Sequence, residues 1–257
     1  MKNQLKQKLN KKQSCIGTWI TVPSIEMVDI ISSSDIDFIV IDNEHSPISL
    51  ETAQLMTMVA HKNNTSAILR VSSINKSEIQ KATEINVDGI QIPNVHSFAD
   101  ISMINEYSLY PPIGKKGLSP FTSSAKYSSA DIESFITSYN DDLLLIPQLE
   151  GANVLENIDK ILENNRSDIF FIGLYDLSIS IGVPGNFNDP KFIKIFKLLA
   201  DKILSSGFIL GSIASNNVDL KFLIDNGATY ITYDADCSLI SKYFSEITSH
   251  FNKVKGK

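Results

Sequence analysis

The side chains best suited to chemistry in this sequence stand directly after short apolar runs. Gln148 and Glu150 end one such run, and Asp176 follows the next run along the chain. If the two runs are neighbouring strands of a parallel sheet, the carboxylates of Glu150 and Asp176 meet at one edge and share a hard divalent cation. Oxygen ligands favour Mg²⁺ or Mn²⁺, and Gln148 supplies a further oxygen or a hydrogen bond to substrate. The alternative is two solvated acids that cap the following helices.

A second group of polar residues offers a base and a fixed cation. His45 follows Asp42 and Glu44 after another apolar run, where a carboxylate neighbour orients the imidazole and raises its basicity. Arg70 ends the next run. It is one of only two arginines among 23 basic residues, which suggests planar, bidentate binding of a carboxylate or enolate. A structural ion pair with an acid of the sheet is the alternative.

Eight short apolar runs alternate with amphipathic stretches, and this alternation predicts the elements that position these residues. Runs that are apolar throughout are typical of parallel strands buried on both faces. Eight strand and helix pairs predict a (β/α)₈ TIM barrel, with a doubly wound open sheet as the alternative; both place chemistry at the carboxyl ends of the strands. The predicted strands are Ile16–Ile20, Phe38–Ile41, Ala67–Val71, Gly89–Ile92, Leu143–Leu149, Ile169–Ile172, Phe208–Ile213 and Tyr230–Tyr233. The predicted helices are Ile25–Ser33, Leu50–Lys62, Lys76–Ile85, Phe98–Leu109, Asn153–Asn164, Pro190–Ser205 and Val218–Asp225.

Composition limits the class of protein. The 257 residues are 43% hydrophobic and 20% charged, which excludes a disordered chain, and no run approaches the roughly 18 apolar residues of a membrane span. With a net charge of −6, the chain lacks the excess of basic residues that is typical of nucleic-acid and membrane binders. Two cysteines indicate reduced thiols, and we expect a cytoplasmic protein without a signal peptide. We expect one barrel domain over residues 1–257, with a polar segment at about 1–13 and an amphipathic C-terminal helix at about 239–251.

Several chemistries lack their motifs. None of the eight runs contains lysine, which disfavours a Schiff-base aldolase of the barrel type. The phosphate-binding loop GxxxxGK[ST], the dinucleotide-binding GxGxxG after a strand and the nucleophile elbow GxSxG are all missing from the sequence.

Five segments of this chain stand in the order of one known family. The sequence resembles the HpcH/HpaI family of class II, metal-dependent 2-oxo-acid aldolases, such as the 4-hydroxy-2-oxoheptanedioate and 2-keto-3-deoxyglucarate aldolases. The resemblance runs from about Gly17 to Asp236. It is carried by Asp42-Asn43-Glu44-His45, Arg70, Tyr110-Pro111-Pro112-Ile113-Gly114, Gln148-Leu149-Glu150 and Phe171-Ile172-Gly173-Leu174-Tyr175-Asp176-Leu177-Ser178.

The resemblance implies a fold, a metal and roles for individual residues. It implies a barrel of the phosphoenolpyruvate/pyruvate type and a homo-oligomer, a hexamer or a dimer, whose subunits exchange C-terminal helices. The implied metal is Mg²⁺ or Mn²⁺, with Co²⁺ as a further candidate. It implies that Glu150 and Asp176 bind the metal, that His45 is the base and that Arg70 stabilises the transition state. The implied substrate-binding residues are Gln148, Gly173, Tyr175 and Asp176. Glu84 is implied to be a catalytic carboxylate that acts on the histidine of a neighbouring subunit.

Three departures from the family pattern bear on substrate identity. Lys116 stands where the family commonly has arginine, Tyr175 where it has a small residue, and Glu84 where it has aspartate. The resemblance predicts reversible cleavage of a 4-hydroxy-2-oxo acid to pyruvate, or a close analogue, and an aldehyde. The alternatives are a carbon–carbon lyase of the citrate-lyase/malyl-CoA type and a non-catalytic barrel that binds oxo acids.

Overall fold

Eight parallel strands close into a barrel in the computed structural model, which describes residues 3–129, 131–163 and 166–256. Each strand pairs with the next, and the last pairs with the first, which confirms the predicted (β/α)₈ barrel and excludes the open sheet. The strand ends lie within two residues of those predicted. The strands are β1 (Cys15–Ile20), β2 (Phe38–Asp42), β3 (Ser66–Arg70), β4 (Gly89–Ile92), β5 (Leu144–Leu149), β6 (Ile169–Ile172), β7 (Ile209–Ala214) and β8 (Tyr230–Ala235).

Helices surround the barrel and agree with prediction except at three places. The helices Gln4–Asn10, Ile132–Asp142 and Leu174–Ser180 were not predicted, and the predicted end of one helix, Asn164, lies outside the described residues. None of the described helices has both the length and the apolar content needed to cross a bilayer. The helices are α1 (Gln4–Asn10), α2 (Ile25–Ser32), α3 (Leu50–Lys62), α4 (Lys76–Glu84), α5 (Phe98–Ser108), α6 (Ile132–Asp142), α7 (Val154–Leu162), α8 (Leu174–Ser180), α9 (Pro190–Ser205), α10 (Asn217–Asp225) and α11 (Asp236–Val254).

Local chemistry sets the ends of these helices. The Asp189 side chain accepts a hydrogen bond from the Lys191 amide, and Pro190 occupies the first turn of α9, where a missing N–H costs nothing. Gly207 and Gly227 follow α9 and α10 with φ of 85° and 84°, a conformation that glycine adopts without strain. These ends return the chain to the barrel for β7 and β8.

The barrel interior is a core separate from the layer between strands and helices. Aromatic rings fill its lower part, and the Phe38 and Tyr230 rings stack with centroids 4.2 Å apart. A Cβ on Gly17 would lie 2.3 Å from the Phe38 ring, so only glycine leaves room for it. The interior is therefore packed rather than hollow.

Helix α1 closes the N-terminal end of the barrel. Its Leu5 and Leu9 side chains, one helical turn apart, are 1% and 2% exposed and join the interior core. The segment expected only to be polar thus carries an amphipathic plug, because two leucines suffice to cover the small opening. Met1 and Lys2, which begin that segment, lie outside the described residues.

Helix α11 leaves an apolar face uncovered by the described part of the chain. Asp236 in its first turn is buried, but the helix then runs exposed to its end. Helix α11 includes the segment 239–251 that was expected to be helical, and most of its length does not pack on its own barrel. Its exposed apolar side chains are Leu239, Ile240, Tyr243, Phe244, Ile247, Phe251 and Val254.

Candidate active site

Arg70 is held at the mouth of the barrel by two acids. Its Nε and Nη2 donate to Asp42 Oδ1 and Oδ2 at 2.9 and 2.8 Å, and its Nη1 lies 2.9 Å from Glu44 Oε2. The guanidinium carbon lies 4.3 Å from the centroid of the Trp19 ring. The structural ion pair weighed from the sequence is therefore present. Since a guanidinium has five N–H donors, it retains donors for a ligand.

The same aspartate shapes the turn that carries His45. Asp42 Oδ1 accepts the backbone N–H groups of Glu44 and His45 at 3.0 and 3.3 Å. Burial raises the pKa of Asp42, but the hydrogen bonds and charge of Arg70 more than offset it and leave the pKa below its usual value. The His45 side chain is 68% exposed, with Nε2 3.8 Å from Glu44 Oε2. The imidazole thus stands at the rim, beside a carboxylate.

Glu150 lies at the end of a chain of buried hydrogen bonds. Gln91 Nε2 donates to Gln148 Oε1 at 2.5 Å, and Gln148 Nε2 donates to Glu150 Oε1. The backbone N–H of Asn94 donates to Glu150 Oε2 at 2.8 Å. Because its oxygen is occupied by Gln91, Gln148 presents its amide N–H side to the mouth, which disfavours the interpretation of its oxygen as a metal ligand.

The pKa of Glu150 is raised above its usual value, chiefly by burial and further by the nearby charge of Asp176. Within the described part of the chain, no basic nitrogen lies within 4 Å of either carboxylate; the ion pairs at this end involve other acids. Glu150 and Asp176 thus lie close enough for their charges to interact, and neither forms an ion pair with a basic side chain of the described residues.

Gly173 makes room for this arrangement. A Cβ at this position would lie 2.9 Å from Glu150 Cγ, 3.2 Å from Glu150 Oε1 and 3.4 Å from Gln148 Nε2. Gly173 immediately precedes α8, which carries Asp176 in its first turn with an exposed side chain. The tight approach of Glu150 and Gln148 to the backbone therefore requires glycine here.

These donors fit a divalent metal that keeps part of its coordination shell open. Glu150 and Asp176 supply hard carboxylate oxygens of the type that Mg²⁺ and Mn²⁺ prefer. Among residues 3–129, 131–163 and 166–256, no cluster of three or more His, Cys, Asp or Glu side chains could hold a metal. A two-carboxylate site leaves positions for water and substrate oxygens, as Mg²⁺ sites commonly do.

Tyr175 stands on the rim rather than in the floor of the mouth. Its side chain is 49% exposed, its hydroxyl lies 3.1 Å from Ser215 Oγ, and its ring meets the Phe187 ring edge-on at 5.2 Å. Lys242 of α11 lies nearby and pairs with Asp234. The ring is therefore held at the rim by these two contacts and stays half exposed to solvent.

Glu84 and Lys116 lie away from the mouth. Glu84 ends α4, and because helices run antiparallel to strands in this fold, it lies at the N-terminal end of the wall. The structure does not bring it to His45 of the same chain. Lys116 is 3% exposed, donates to the Tyr110 hydroxyl at 2.9 Å, and lies 4.5 Å from the ring centroids of Tyr110 and Tyr139.

Sequence reasoning missed one buried polar residue and left another undecided. Gln91 lies inside a strand that was read as an apolar run, although a glutamine among Gly89, Ile90 and Ile92 was a visible signal. His96, which has no role predicted from the sequence, lies against Gly151: a Cβ there would be 2.9 Å from its ring. Its Nδ1 is buried and has no hydrogen-bond partner among the described residues.

A cavity of about 600 Å³ lies at the opposite end of the barrel. Its lining includes Asn3, His61, Asp88 and Tyr139, but none of the mouth residues described above. The presence of a cavity therefore does not by itself mark the mouth, where Glu150 and Asp176 have no cationic partner among the described residues.

Comparison with known proteins identifies the family. The model of the HpcH/HpaI aldolase/citrate lyase family matches residues 15–242. The chain belongs to this family. This membership makes it an enzyme of the carbon–carbon lyase class and confirms the resemblance inferred from the five segments.

A curated relative of this family member is an aldolase, and two solved structures share its fold. It is 26% identical over 255 residues to 2-keto-3-deoxy-L-rhamnonate aldolase of Escherichia coli (strain K12), a match that covers 99% of this chain and 95% of that protein. The HpcH/HpaI aldolase structure from Desulfitobacterium hafniense DCB-2 superposes with a TM-score of 0.91 at 22% identity, over 96% of each chain. The structure of the citrate synthase SbnG superposes with a TM-score of 0.89 at 23% identity, over 98% of this chain and 99% of that one. At these identities the two structures show the fold alone.

Proposed function

We propose that this enzyme reversibly cleaves a 4-hydroxy-2-oxo acid to pyruvate, or a close analogue, and an aldehyde. The observation that carries the proposal is the pair formed by Glu150 and Asp176, which has no cationic partner in the described part of the chain, in the same mouth as the Arg70 guanidinium. The relatives named as 2-keto-3-deoxy-L-rhamnonate aldolases support a 2-oxo acid as substrate.

Glu150 and Asp176 would hold the divalent metal, Mg²⁺ or Mn²⁺ in first place and Co²⁺ as a further candidate. When bound, such an ion supplies Lewis-acid stabilisation of the enolate that forms as the carbon–carbon bond breaks. Gln148 presents an N–H donor on the same side and would bind an oxygen of the oxo acid. Gly173 and the first turn of α8 leave space for the acid's carboxylate.

Arg70 would stabilise the negative charge that develops on the enolate oxygen. Asp42 and Glu44 hold the guanidinium in place before substrate arrives, so little reorganisation is needed when the charge appears. His45, directly or through a water, would take the proton from the 4-hydroxyl, since it is accessible at the rim.

We further propose that the enzyme is a homo-oligomer, a dimer or a hexamer. The uncovered apolar face of α11 supports packing against a second copy, because exposed apolar patches of this kind mark interfaces. In such an assembly Glu84 would act on His45 of a neighbouring copy, a role that one chain alone does not allow.

The direct test measures pyruvate release from a panel of 4-hydroxy-2-oxo acids. We expect release by the enzyme loaded with Mg²⁺ or Mn²⁺, loss of release with EDTA, recovery on re-addition of metal, and loss in Glu150→Ala and Arg70→Ala. Release that survives chelation and both substitutions would rule out the metal-dependent mechanism. Competition by coenzyme A would instead favour the citrate-lyase/malyl-CoA type, and tight oxalate binding without turnover of any substrate would favour a non-catalytic barrel.

A further inference from the structure

Gln91 is a fully buried amide in the barrel interior. It is 0% exposed and lies beside Arg70 in the register of β3 and β4, so the two side chains point to the same face. Its Nε2 donates to Gln148 Oε1, but its own Oε1 has no hydrogen-bond partner among the described residues. A buried acceptor without a partner is costly and requires an explanation.

The direction of the hydrogen bonds provides that explanation. An ionised carboxylate only accepts hydrogen bonds, and Glu150 Oε2 already accepts from the Asn94 backbone. Gln148 must therefore turn its N–H₂ toward Glu150 Oε1, which leaves its oxygen facing down into the barrel. In the described structure the N–H₂ of Gln91 satisfies that oxygen, and the Gln91 oxygen is then left over.

We propose that Gln91 is a positioning residue that fixes the amide orientation of Gln148. It would hold the donor side of Gln148 toward Glu150 and toward the oxo acid above it. Without Gln91, the bond to Glu150 alone holds the Gln148 amide, so its donor side is fixed less firmly toward the bound acid. The inference rests on the proposed function, since it assigns Gln148 to binding the oxo acid.

A purely structural role predicts a different pair of results. If Gln91 served packing alone, its replacement by a residue of similar shape would leave ligand binding unchanged. Gln91→Met keeps the length of the side chain and removes both the donor and the unpartnered oxygen. We therefore expect weaker binding of the oxo acid with a nearly unchanged midpoint of thermal unfolding, because the unpartnered oxygen of Gln91 is exchanged for an unpartnered oxygen of Gln148.

The experiment compares three variants in the full-length protein with the wild type. Gln91→Met removes the hydrogen bond, and Gln91→Glu places a carboxylate that demands the N–H₂ of Gln148 and so reverses its orientation. Gln54→Met, on the outer helix α3, is the matched control. Titration calorimetry measures the Kd of Mn²⁺ and then the Kd of oxalate and pyruvate for the Mn²⁺-loaded protein; thermal unfolding is followed without metal.

For Gln91→Met we expect the Kd of oxalate to rise about tenfold, as when one hydrogen bond to a charged ligand is removed. The Kd of Mn²⁺ should change less than about threefold, the KM for the oxo acid should rise with the Kd, and kcat should change much less. Gln91→Glu should weaken oxalate binding further than Gln91→Met, and Gln54→Met should behave as the wild type.

Two outcomes overturn the inference, and both are separable from failure of the proposed function. Oxalate binding by Gln91→Met that matches the wild type refutes the positioning role. A drop in its unfolding midpoint of many degrees, with oxalate binding retained, assigns Gln91 to structure alone. If the wild type itself binds neither Mn²⁺ nor oxalate and releases no pyruvate, the proposed function fails and the inference falls with it.

Discussion

The N-terminal end of the barrel pairs its partly buried aspartates, whereas the mouth leaves two acids without a cation from the described residues. Three aspartates stand one residue before β2, β4 and β6, and each accepts a backbone N–H from the preceding strand. Each also contacts a nitrogen of a basic side chain at 2.6–2.7 Å. The pairs are Asp37 with Lys8, Asp88 with His61 and Asp168 with Lys6.

This contrast separates residues that stabilise the fold from residues that are available for chemistry. An acid whose charge is already balanced by a cation of the protein has little to gain from binding a second cation. Glu150 accepts two hydrogen bonds but no positive charge, so a bound cation would remove the cost of keeping it ionised in a buried place. Acidic residues thus stand at both ends of the barrel. Glu150 and Asp176 differ from the three aspartates because they have no cationic partner among the described residues and remain able to bind a cation.

Glu150→Gln should cause the largest loss of activity among these variants. It should also distinguish most clearly between a residue of the mouth, which serves activity, and the residues of the N-terminal end, which serve stability. We expect at least a roughly thousandfold loss of pyruvate release, because a neutral amide binds a divalent metal poorly, with no loss in the free energy of unfolding of the metal-free protein. Steady-state kinetics and urea denaturation measure the two quantities. Glu51→Gln on the exposed start of α3 is the control, and equal activity of the two variants would contradict the assignment of the mouth.

Arg70→Lys should impair both activity and stability. The lysine cannot bind Asp42 in bidentate fashion while also contacting Glu44, so a buried carboxylate is left poorly paired. We expect about a hundredfold to thousandfold loss in kcat/KM, on the order of 2.7–4 kcal/mol in the transition state. Denaturation and kinetics on the same preparation test this, with the exposed Arg166→Lys as the control. Full activity in Arg70→Lys would show that the ion pair is structural only.

Lys116 sharpens the comparison because it is a buried cation without a carboxylate oxygen within 4 Å in the described part of the chain. Burial lowers the pKa of Lys116 from 10.5 to about 8, although Glu84 opposes the shift. Between these pH values the unfolded chain holds the proton that the folded chain has released, so the free energy of unfolding rises with pH. Relative to Lys116→Met, the wild type should gain about 3 kcal/mol from pH 8 to pH 10.5.

Urea denaturation of both proteins at pH 7, 8, 9 and 10.5 gives this difference. Below pH 8 the lysine is protonated in both states, and the difference between wild type and Lys116→Met should be constant. A difference that stays flat across the whole range would mean that the ammonium is not desolvated. A Lys197→Met variant, on the exposed surface of α9, should give no pH-dependent difference.

Asp88→Ala should destabilise the protein and leave catalysis unchanged. The substitution removes the acceptor for the Ala67 backbone N–H and for His61, and an unsatisfied buried donor costs about 1–3 kcal/mol. We expect that loss in the free energy of unfolding with kcat/KM within about twofold of the wild type. A large loss of activity in the folded variant would contradict the assignment of the N-terminal end to stability and of the mouth to activity.

Tyr175→Phe should have the smallest effect of the set. It removes the hydroxyl that contacts Ser215 but keeps the ring against Phe187 at the rim. We expect a change in the free energy of unfolding within about 0.5 kcal/mol, and a KM shift of less than about threefold that depends on the aldehyde half. Kinetics in the direction of aldol addition, with aldehydes of different length, measures it. A tenfold change for all aldehydes would place the hydroxyl at the reacting atoms.

The barrel was predictable because its strands are apolar throughout and each is followed by a periodic helix. Helix α6 was missed since none of its residues is buried, which leaves little apolar pattern to read. Helix α1 was missed because Leu5 and Leu9 stand among lysines, asparagines and glutamines. Arg70 and Glu150 both stand at the ends of predicted strands, and this was enough to predict that they lie at the same end of the barrel.

The details of the site could not be read from the sequence. The occupation of the Gln148 oxygen by Gln91 depends on side-chain directions inside the closed barrel, which no one-dimensional pattern contains. The distance of Glu84 from His45 follows from the barrel geometry, and any meeting between them requires a second copy. The roles of these residues in catalysis stay predictions until the variants are measured.

The plug made by α1 limits the route by which substrate enters the enzyme and products leave it. Leu5 and Leu9 lie beneath a layer of packed aromatic rings, so nothing passes along the barrel axis from below. In the proposed reaction both products must then leave by the opening through which the substrate came. The half held against Glu150 sits innermost, and the half beside Tyr175 sits outermost. We expect the aldehyde to depart first and the oxo acid last, so that pyruvate accumulating in solution occupies the empty enzyme and slows the next turnover.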